Sequence, residues 1–392
     1  MILRRSPAVL LLATALPAHA QTAPRQCPAG ACKGELVYVG SMGVDPGQGV
    51  TAARLDPKTG QLAAIGLALE AKRASWLVAH PTKPLLYSVT MAPPREGVAT
   101  GGVLALRADT KTGRLTEIGR AGSGGGDPTH MTLDLGSGSL LVANYSTGQL
   151  AALPVGTDAL PGDPTSVAQD VGTGPSPRQK GPHAHGVVLS PDRKFALVAD
   201  LGADRVFVYR YGAAAHRLDP IPASVAELPP GTGPRHLAFH PDGKFLFLVS
   251  ELVAGIRCYR WDAATGKLAL VQTIATTADP AMADKNKGAE ILVSRDGRFV
   301  YVSNRGEDTI VAYAIDTRSG KLTEVQRVAS GGAIPWSMAL DRSGRWMLVA
   351  NQGSNSVNLF RRDVATGKLS ATREALTVPK PVTIAWLSGA TH

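Results

Sequence analysis

Ionisable residues that could act on one bound molecule recur at the edges of short apolar runs along this 392-residue chain. They lie in the motifs GPHAH (His183, His185), GPRH (Arg235, His236), SEL (Glu251), GAE (Glu290) and SNRG (Asn304, Arg305). An imidazole or a carboxylate can activate water and return a proton, while guanidinium groups stabilise an oxyanion or hold a carboxylate or phosphate. These residue types predict water-dependent chemistry on a molecule that carries an anionic group.

Within this set, Glu251 and His185 are the candidate acid–base groups. A carboxylate beside an arginine stays ionised, so we expect Glu251 to act as the base and His185 to act as the acid or to orient the water. Arg235 and Arg305 are expected to bind an anionic group or the developing charge. The remaining polar side chains are predicted substrate contacts: His183, His236, Asn304 and Glu290.

Each of these residues also has a structural interpretation. The two arginines could pair with Glu251 and Asp200 as a network, and His183 and His236 could brace neighbouring repeats. Asparagine side chains readily bind their own backbone, so an asparagine that recurs at one repeat position is typical of a turn. Three residues share that position: Asn144, Asn304 and Asn351.

These motifs belong to a repeated unit whose template is the stretch 181–210, with three apolar strands separated by the turns SPDRK and LGADR. A looser copy starts at Ser75, and clearer copies occupy 128–154, 233–260, 288–313 and 335–360. The period of about 46–55 residues lies within or just above the range expected of propeller blades. Turns such as DTKTGRL and DVATGKL follow the third strand and predict a hairpin to a fourth.

The two ends of the repeat array complement each other. Residues 35–70 supply three strands with no first strand before them, whereas PKPVTIAWL (379–387) matches a first strand and nothing follows it. We therefore expect residues 382–387 to pair with 35–41 and close a ring. The predicted fold is an all-β, seven-bladed β-propeller over residues 35–392, with the C-terminal strand joining the N-terminal blade.

The propeller fold brings the candidate residues together. The first strand of each blade is innermost and the second runs antiparallel to it, so residues before first strands and after second strands meet at one mouth of the central channel. The first group is Asp127, His130, His183, His185, Arg235, His236, Glu290 and Trp336. The second group is Asn144, Tyr145, Asp200, Glu251, Asn304, Arg305, Asn351 and Gln352.

The N-terminus predicts export. Residues 1–20 have two arginines, an apolar segment and an Ala-His-Ala cleavage pattern, which is typical of a secretory signal peptide. A membrane anchor is the alternative, but the apolar run is far shorter than the ~20 residues that span a bilayer. Residues 21–34 are predicted to be a flexible leader, and the protein to be periplasmic or secreted. Loss of Arg4 and Arg5 lowers the formal net charge from +10 to +8.

The three cysteines fit an exported protein. Cys27 and Cys32 lie close together near the start of the mature chain, and in an oxidising compartment we expect a disulfide between them. Cys258 lies within a predicted strand and is expected to be a buried, inert thiol.

The motifs GPHAH, GPRHLAFHPDGKF, SNRGEDTI and VANQGSNSV resemble the lactonase family of seven-bladed β-propellers, over residues 35–388. That family includes bacterial 6-phosphogluconolactonases and the fungal enzyme that interconverts 3-carboxy-muconate and its lactone. The resemblance implies functional roles for His185, Arg235, Glu251 and Arg305, at the motif positions of the fungal enzyme. It implies hydrolysis of a sugar-acid lactone. An exported protein does not meet cytosolic sugar phosphates, which argues against phosphogluconolactone as substrate but not against lactonase chemistry.

Three other functions stay open at this stage: a non-enzymatic propeller that binds a ligand or protein on its polar face, a muconate-type lactonizing enzyme, and a lactonase that holds Ca²⁺ through Glu251, Asp200 and the asparagines. Arginines at the mouth would repel a cation, so no metal or other cofactor is predicted. The expected partner is a small, anionic lactone. Basic residues are scattered through turns, which argues against a nucleic-acid partner. The protein is also predicted to be monomeric and, once the signal peptide is removed, not to associate with a membrane.

Overall fold

The computed structural model describes residues 25–27, 33–91 and 101–387, and their β-strands form seven sheets. Second strands such as Phe195–Asp200 (FALVAD) and Phe245–Ser250 (FLFLVS) are buried at every position. Such continuous apolar runs are typical of strands covered on both faces. The outer strand Leu322–Ala329 (LTEVQRVA) carries charged residues and is partly exposed. Within a blade, apolar content and burial are therefore high in the second strand and lower in the outer strand at the surface.

Each sheet is one blade, and we number the blades from the one that closes the ring. Blade 1 contains β1 (Arg25–Gln26), β2 (Glu35–Ser41), β3 (Gly49–Leu55), β4 (Leu62–Glu70) and the last strand, β30 (Pro381–Trp386). Blade 2 contains β5 (Leu77–Ala79), β6 (Leu85–Met91), β7 (Gly101–Ala108) and β8 (Leu115–Gly122). Blade 3 contains β9 (Pro128–Asp134), β10 (Ser139–Asn144), β11 (Gln149–Pro154) and β12 (Ser166–Gln169).

The remaining blades follow in chain order. Blade 4 contains β13 (Ala184–Leu189), β14 (Phe195–Asp200), β15 (Arg205–Gly212), β16 (Arg217–Leu218) and β17 (Ser224–Glu227). Blade 5 contains β18 (Pro234–Phe239), β19 (Phe245–Ser250), β20 (Gly255–Asp262) and β21 (Lys267–Ala275). Blade 6 contains β22 (Lys287–Val293), β23 (Phe299–Arg305), β24 (Thr309–Ile315) and β25 (Leu322–Ala329). Blade 7 contains β26 (Pro335–Leu340), β27 (Trp346–Asn351), β28 (Ser356–Arg362) and β29 (Leu369–Thr377). Two short 3-10 helices span Ala213–Ala215 and Pro280–Met282.

The recurrent Asp-x-x-x-Gly turns join third and fourth strands by local hydrogen bonding. In the first of them, Asp56 Oδ1 accepts the backbone N–H of Lys58 at 2.8 Å, and Gly60 N–H returns to the Asp56 carbonyl. Gly60 has a φ of +77°, and a Cβ there would lie 2.3 Å from the Trp346 ring of blade 7. Glycine is therefore required both for the turn and for the approach of the neighbouring blade.

The predicted ring closure is confirmed. The strand β30 pairs antiparallel with β2, from Val37 opposite Trp386 to Ser41 opposite Pro381. The innermost strands contact each other around the complete ring, β30 lying between β26 and β5. The all-β, seven-bladed fold predicted from the repeat is thus confirmed.

The N-terminal segment is described only in part. Residues 1–20, the predicted signal peptide, and Cys32 lie outside the described residues. Within the predicted leader 21–34, the strand β1 runs parallel to the blade 1 outer strand β4. Cys27 is disulfide-bonded, and its pairing with Cys32 stays a prediction. Cys258 is a free, buried cysteine, and burial raises the pKa of its thiol to about 12. No helix among the described residues has the length and apolarity needed to cross a bilayer.

Candidate active site

β-Bulges at the start of the innermost strands direct side chains into the channel mouth. The register passes from Ala184 to Gly186 and from Pro234 to His236, so His185 and Arg235 have no partner in the ladder. The register also passes over Trp336 in blade 7 and Thr129 in blade 3, so these residues likewise have no partner on the neighbouring strand. A bulge bends the strand and turns a side chain away from the regular alternation. The repeated bulge therefore supplies one inward side chain from each of several blades.

These bulge residues line one small cavity of about 40 Å³. Its wall consists of Met42, Arg73, Ser75, Trp76, Thr129, His185, Arg235, His236 and Trp336. The predicted convergence of residues from separate blades on one mouth is therefore seen for His185, Arg235 and His236. The sequence did not predict three of the lining residues, Arg73, Trp76 and Thr129. Arg73 forms a 2.9 Å ion pair with Asp127, which belongs to the predicted group.

Glu251, which follows β19, is buried and holds the arginines together. Its Oε2 lies 3.0 Å from Arg235 Nε and 2.9 Å from Arg305 Nη2, and Oε1 accepts a hydrogen bond from Arg178 Nη1. Burial raises the pKa of the Glu251 carboxyl, but the charges of Arg305, Arg235 and Arg178 more than offset this and hold it well below its usual range. The expected ionised state is supported, but a carboxylate with three guanidinium partners is a weak base.

The two inner arginines are fixed against one aromatic ring. The guanidinium carbon of Arg305 lies 4.6 Å from the centre of the Trp336 ring, and that of Arg235 lies 5.4 Å from it. Arg235 also donates to the Ala289 carbonyl at 2.6 Å. Burial and the charge of Arg305 lower the pKa of Arg235 to about 10, so the group remains a cation at neutral pH. The arrangement presents two rigid cations at the mouth.

His185 is buried beside these charges. Its Nε2 lies 3.7 Å from Glu251 Oε2. Burial and the positive charge of Arg235 hold the pKa of His185 well below the usual range, so the ring is neutral at neutral pH. The nearby carboxylate favours the tautomer with its proton on Nε2, which leaves the Nδ1 lone pair free to accept a proton.

His236 and Glu290 form a second buried pair next to the first. His236 Nδ1 donates to Glu290 Oε1 at 2.9 Å, and Ser337 Oγ donates to Glu290 Oε2 at 3.2 Å. Burial holds the pKa of His236 well below its usual value and raises that of Glu290. The rings of His185 and His130 lie 5.2 Å and 4.9 Å from that of His236. The predicted contact residues His236 and Glu290 therefore adjoin the site, with their hydrogen bonds directed at each other.

His183 lies on the other side of His185, stacked on Tyr145 with ring centres 4.5 Å apart. Its Nδ1 donates to the Tyr145 carbonyl at 2.9 Å. Arg178 Nη2 donates to the Tyr145 hydroxyl at 3.0 Å, so this arginine links Tyr145 to Glu251. The sequence pattern does not indicate Arg178, because this residue lies in the connection from blade 3 to blade 4, which has no counterpart in the repeat.

Asn304 has a different place from the other predicted contacts. Its side chain is fully buried, accepts a hydrogen bond from Thr276 Oγ1 and donates to the Thr276 carbonyl. Asn144 makes the equivalent bonds to Ser123. These bonds fasten the end of a second strand to the segment that enters the same blade. The geometry favours the turn interpretation for Asn304, and we leave it out of the proposed site.

Asp200 and Asp170 form a buried carboxyl pair beneath His183. Asp200 Oδ1 accepts the backbone N–H groups of His183 and Ala203, and Asp170 Oδ1 accepts the Tyr209 hydroxyl. The two remaining oxygens have no other partner among the described residues, and the carboxyl groups lie within hydrogen-bonding reach. One shared proton satisfies both. Burial and the charge of Asp200 hold the pKa of Asp170 well above its usual value.

We expect Asp170→Asn to stabilise the protein at neutral pH. The folded state keeps a proton on Asp170 that the unfolded chain releases above about pH 4, so wild-type stability falls as pH rises above that value. Asparagine donates to Asp200 without a proton being taken up. The variant should therefore be more stable than the wild-type protein at pH 7 and no more stable at pH 3, where the unfolded chain is protonated as well. Urea unfolding at both pH values tests this, and equal stability at pH 7 would exclude the shared proton.

The oxygen atoms of the calcium alternative are engaged elsewhere. Glu251 binds arginines and Asp200 binds backbone N–H groups and Asp170. In the described part of the chain, no three His, Cys, Asp or Glu side chains are grouped so that they could hold a metal ion. These residues do not fit the proposed calcium site.

Three buried polar atoms at the mouth lack a hydrogen-bond partner among the described residues: Thr129 Oγ1, His185 Nδ1 and Arg305 Nε. Buried polar groups are nearly always bonded to protein, water or ligand. One acceptor and two donors at the mouth can therefore bond to water or to a polar ligand.

The fold and this site define a closed seven-bladed propeller with an ionisable centre at one end of its channel. The family model of lactonases with a seven-bladed β-propeller matches residues 36–386, and the chain belongs to this family. A 6-phosphogluconolactonase of Bacillus subtilis is 30% identical over 306 residues, covering 78% of this chain and 84% of that protein.

Solved structures agree with the family. The periplasmic gluconolactonase of Pseudomonas aeruginosa superposes with a TM-score of 0.83 at 32% identity, over 90% of this chain and 99% of that one. A putative 6-phosphogluconolactonase from Bacteroides fragilis gives a TM-score of 0.82 at 28% identity, over 92% and 100%. The predicted resemblance is confirmed.

Proposed function

We propose that this protein hydrolyses a sugar-acid lactone to the open hydroxy acid in the periplasm or outside the cell. The observation that carries the proposal is the neutral His185, which lines the cavity beside Arg235 and close to Arg305 and whose buried Nδ1 has no hydrogen-bond partner among the described residues. Membership of the lactonase family and the names of two relatives, a 6-phosphogluconolactonase and a periplasmic gluconolactonase, support the reaction class.

In the proposed first step, His185 Nδ1 removes a proton from water as the water oxygen bonds to the lactone carbonyl carbon. The carbonyl π electrons move to the carbonyl oxygen, which becomes an oxyanion. The Nε2 of the resulting imidazolium lies 3.7 Å from Glu251 Oε2, so the charge of the carboxylate stabilises the imidazolium. Glu251 thus acts through His185, as the third member of a catalytic triad does. We therefore move the base role from Glu251 to His185.

The arginines stabilise the charge that develops. Arg305 has an unpartnered Nε, and Arg235 is held rigidly at the cavity wall. Fixed donors aimed at an oxyanion in a buried site need no rearrangement during the reaction. In the second step the oxyanion electron pair re-forms the carbonyl, the bond from the carbonyl carbon to the ring oxygen breaks, and the imidazolium returns its proton to that oxygen. The product is the hydroxy acid, and His185 is again neutral.

The proposed location follows from residues 1–20, which have the features of a secretory signal peptide. The same location was assigned to the gluconolactonase from Pseudomonas aeruginosa. Sequencing of the protein recovered from the periplasm should give an N-terminus at Gln21. An uncleaved protein in the cytosolic fraction would contradict export.

We expect the purified mature protein to release acid from at least one lactone in a panel of aldonolactones, their 6-phosphates, a muconolactone and simple aliphatic lactones. A pH-stat measures the reaction, with spontaneous hydrolysis subtracted. Hydrolysis that survives exhaustive chelation separates this mechanism from a calcium-dependent one. If every lactone opens at the spontaneous rate, the binding-scaffold function takes its place.

A further inference from the structure

Arg178 is the exposed member of the three arginines that hold Glu251. Its side chain is 48% exposed, against 11% for Arg305 and 1% for Arg235. It comes from the connection between β12 and β13, which leads directly to His183 at the mouth. A molecule that enters the mouth from solvent can therefore reach the Arg178 guanidinium before it reaches the two inner arginines.

The backbone that carries Arg178 is firmly anchored. The next residue, Gln179, is fully buried; its side chain donates to the Leu201 carbonyl at 2.9 Å and accepts the Ser176 N–H at 3.1 Å. Gly174 N–H donates to the Gln179 carbonyl, which closes the segment into a compact loop. An exposed arginine on a fixed base can recognise a ligand with little loss of conformational freedom.

The hydrogen bonds identify Arg178 as the exchangeable partner of Glu251. It bonds only Oε1 of that carboxylate, whereas Arg235 and Arg305 share Oε2. Glu251 would keep two guanidinium partners if Arg178 turned away. The Arg178 guanidinium is half-exposed and is solvated by water when it turns away, which lowers the cost of breaking this ion pair. Three guanidinium groups around one carboxylate also leave positive charge in excess.

We propose that Arg178 determines specificity by exchanging Glu251 for an anionic substituent, a carboxylate or a phosphate, on the lactone. This inference rests on the proposed lactonase function of the mouth. Arg178 then binds the part of the substrate remote from the carbonyl carbon, while Arg305 and Arg235 serve the reacting end. The Tyr145 hydroxyl, 3.0 Å from Arg178 Nη2, keeps the guanidinium oriented during the exchange.

The test compares a neutral aldonolactone with the same lactone bearing a 6-phosphate or a 6-carboxylate. For Arg178→Gln we expect the KM of a charged lactone to rise about 10–100-fold, the value of a lost charge-assisted hydrogen bond. The KM of the neutral lactone should stay within twofold, and any change in kcat that follows from the altered charge around Glu251 should be the same for the neutral and the charged lactone. For Arg178→Lys, the KM of the charged lactone should lie between those of the wild-type protein and Arg178→Gln. A KM rise for only one anion supports the proposal and identifies that anion.

Arg193→Gln is the matched control. Arg193 is also an exposed arginine, with 54% of its side chain exposed, and it pairs with a buried carboxylate, that of Asp134. It lies in the turn after β13, at the other end of the blade. The substitution should leave every KM unchanged. Equal KM rises for neutral and charged lactones in Arg178→Gln, or no change at all, would overturn the proposal while leaving the lactonase function intact. Failure of the wild-type protein to open any lactone would instead reject that function.

Discussion

Replacing His185 with glutamine should lower kcat for the best lactone by about 10²–10⁴-fold, the usual contribution of general acid–base catalysis. Glutamine has nearly the same reach as histidine and can hydrogen bond to water, but its amide cannot take up a proton. The KM should change little, because the arginines that bind the substrate remain in place. Steady-state kinetics measure both values, and circular dichroism checks the fold.

The matched control is His240→Gln. His240 is a buried histidine of the same propeller and lies directly after β18, away from the mouth. Its Nε2 donates a 2.8 Å hydrogen bond to the Gly297 carbonyl. A glutamine amide can make the same bond, so kcat should be unchanged. A folded His185→Gln protein with full kcat would remove His185 from the mechanism.

The pH profile offers an independent check of the same residue. His185 acts in its neutral form, and burial together with Arg235 holds its pKa well below the usual range. The value of kcat/KM should therefore stay level as the pH falls through about 6.5, the ordinary histidine pKa, and decline only at lower pH. His185→Gln should lose this acid limb. An acid limb centred at or above pH 6.5 would contradict the assignment.

The sequence was most informative where one pattern recurs. Seven first strands, the missing strand before Glu35 and the spare strand after Pro379 together predict the closed ring, because strand pairing follows the alternation of the repeat. The same repeat locates His185, Arg235, Glu251 and Arg305 at one mouth. The repeat could not indicate Arg178, since that residue lies in a connection without equivalents in other blades.

The charge states of the site residues could not be predicted from the sequence. The motifs predict that Glu251 lies near arginines, but its role depends on how many guanidinium groups contact it. Three contacts make it a weak base, and burial makes His185 neutral and therefore the better one. Desolvation and contact number are properties of the folded ring. The bulges that expose His185 and Trp336 to the cavity likewise depend on strand register.

Deleting residues 379–392 should prevent the ring from closing and abolish cooperative folding near room temperature. The strand β30 buries Val382 and Ile384, with Leu387 just beyond it. Ile384 packs with blade 7, and Leu387 packs with blade 2. Burial of three aliphatic side chains contributes roughly 5–8 kcal/mol, which is comparable to the whole stability of many domains.

The deletion also exposes one sheet edge to solvent and removes a hydrogen bond to the neighbouring blade. The strand β2 loses the antiparallel partner that runs from Trp386 to Pro381, and Leu77 N–H loses its 3.3 Å bond to Thr383 Oγ1 in the neighbouring blade. Unpaired edges invite pairing with other chains, so we expect aggregation as well as lower stability. Removing only residues 388–392, which follow the strand, is the control and should leave the melting temperature within a few degrees of that of the intact protein.

A peptide of residues 379–392 distinguishes loss of closure from general misfolding. Added during refolding of the truncated chain, it should restore a cooperative thermal transition, because β30 makes its backbone bonds to β2 alone and does not depend on covalent continuity for them. Restoration should fail for a peptide with Ile384 replaced by Asp, since a charge would then enter the apolar contact with blade 7. A truncated protein that melts within a few degrees of the intact one without the peptide would show that the ring does not depend on this strand for its stability.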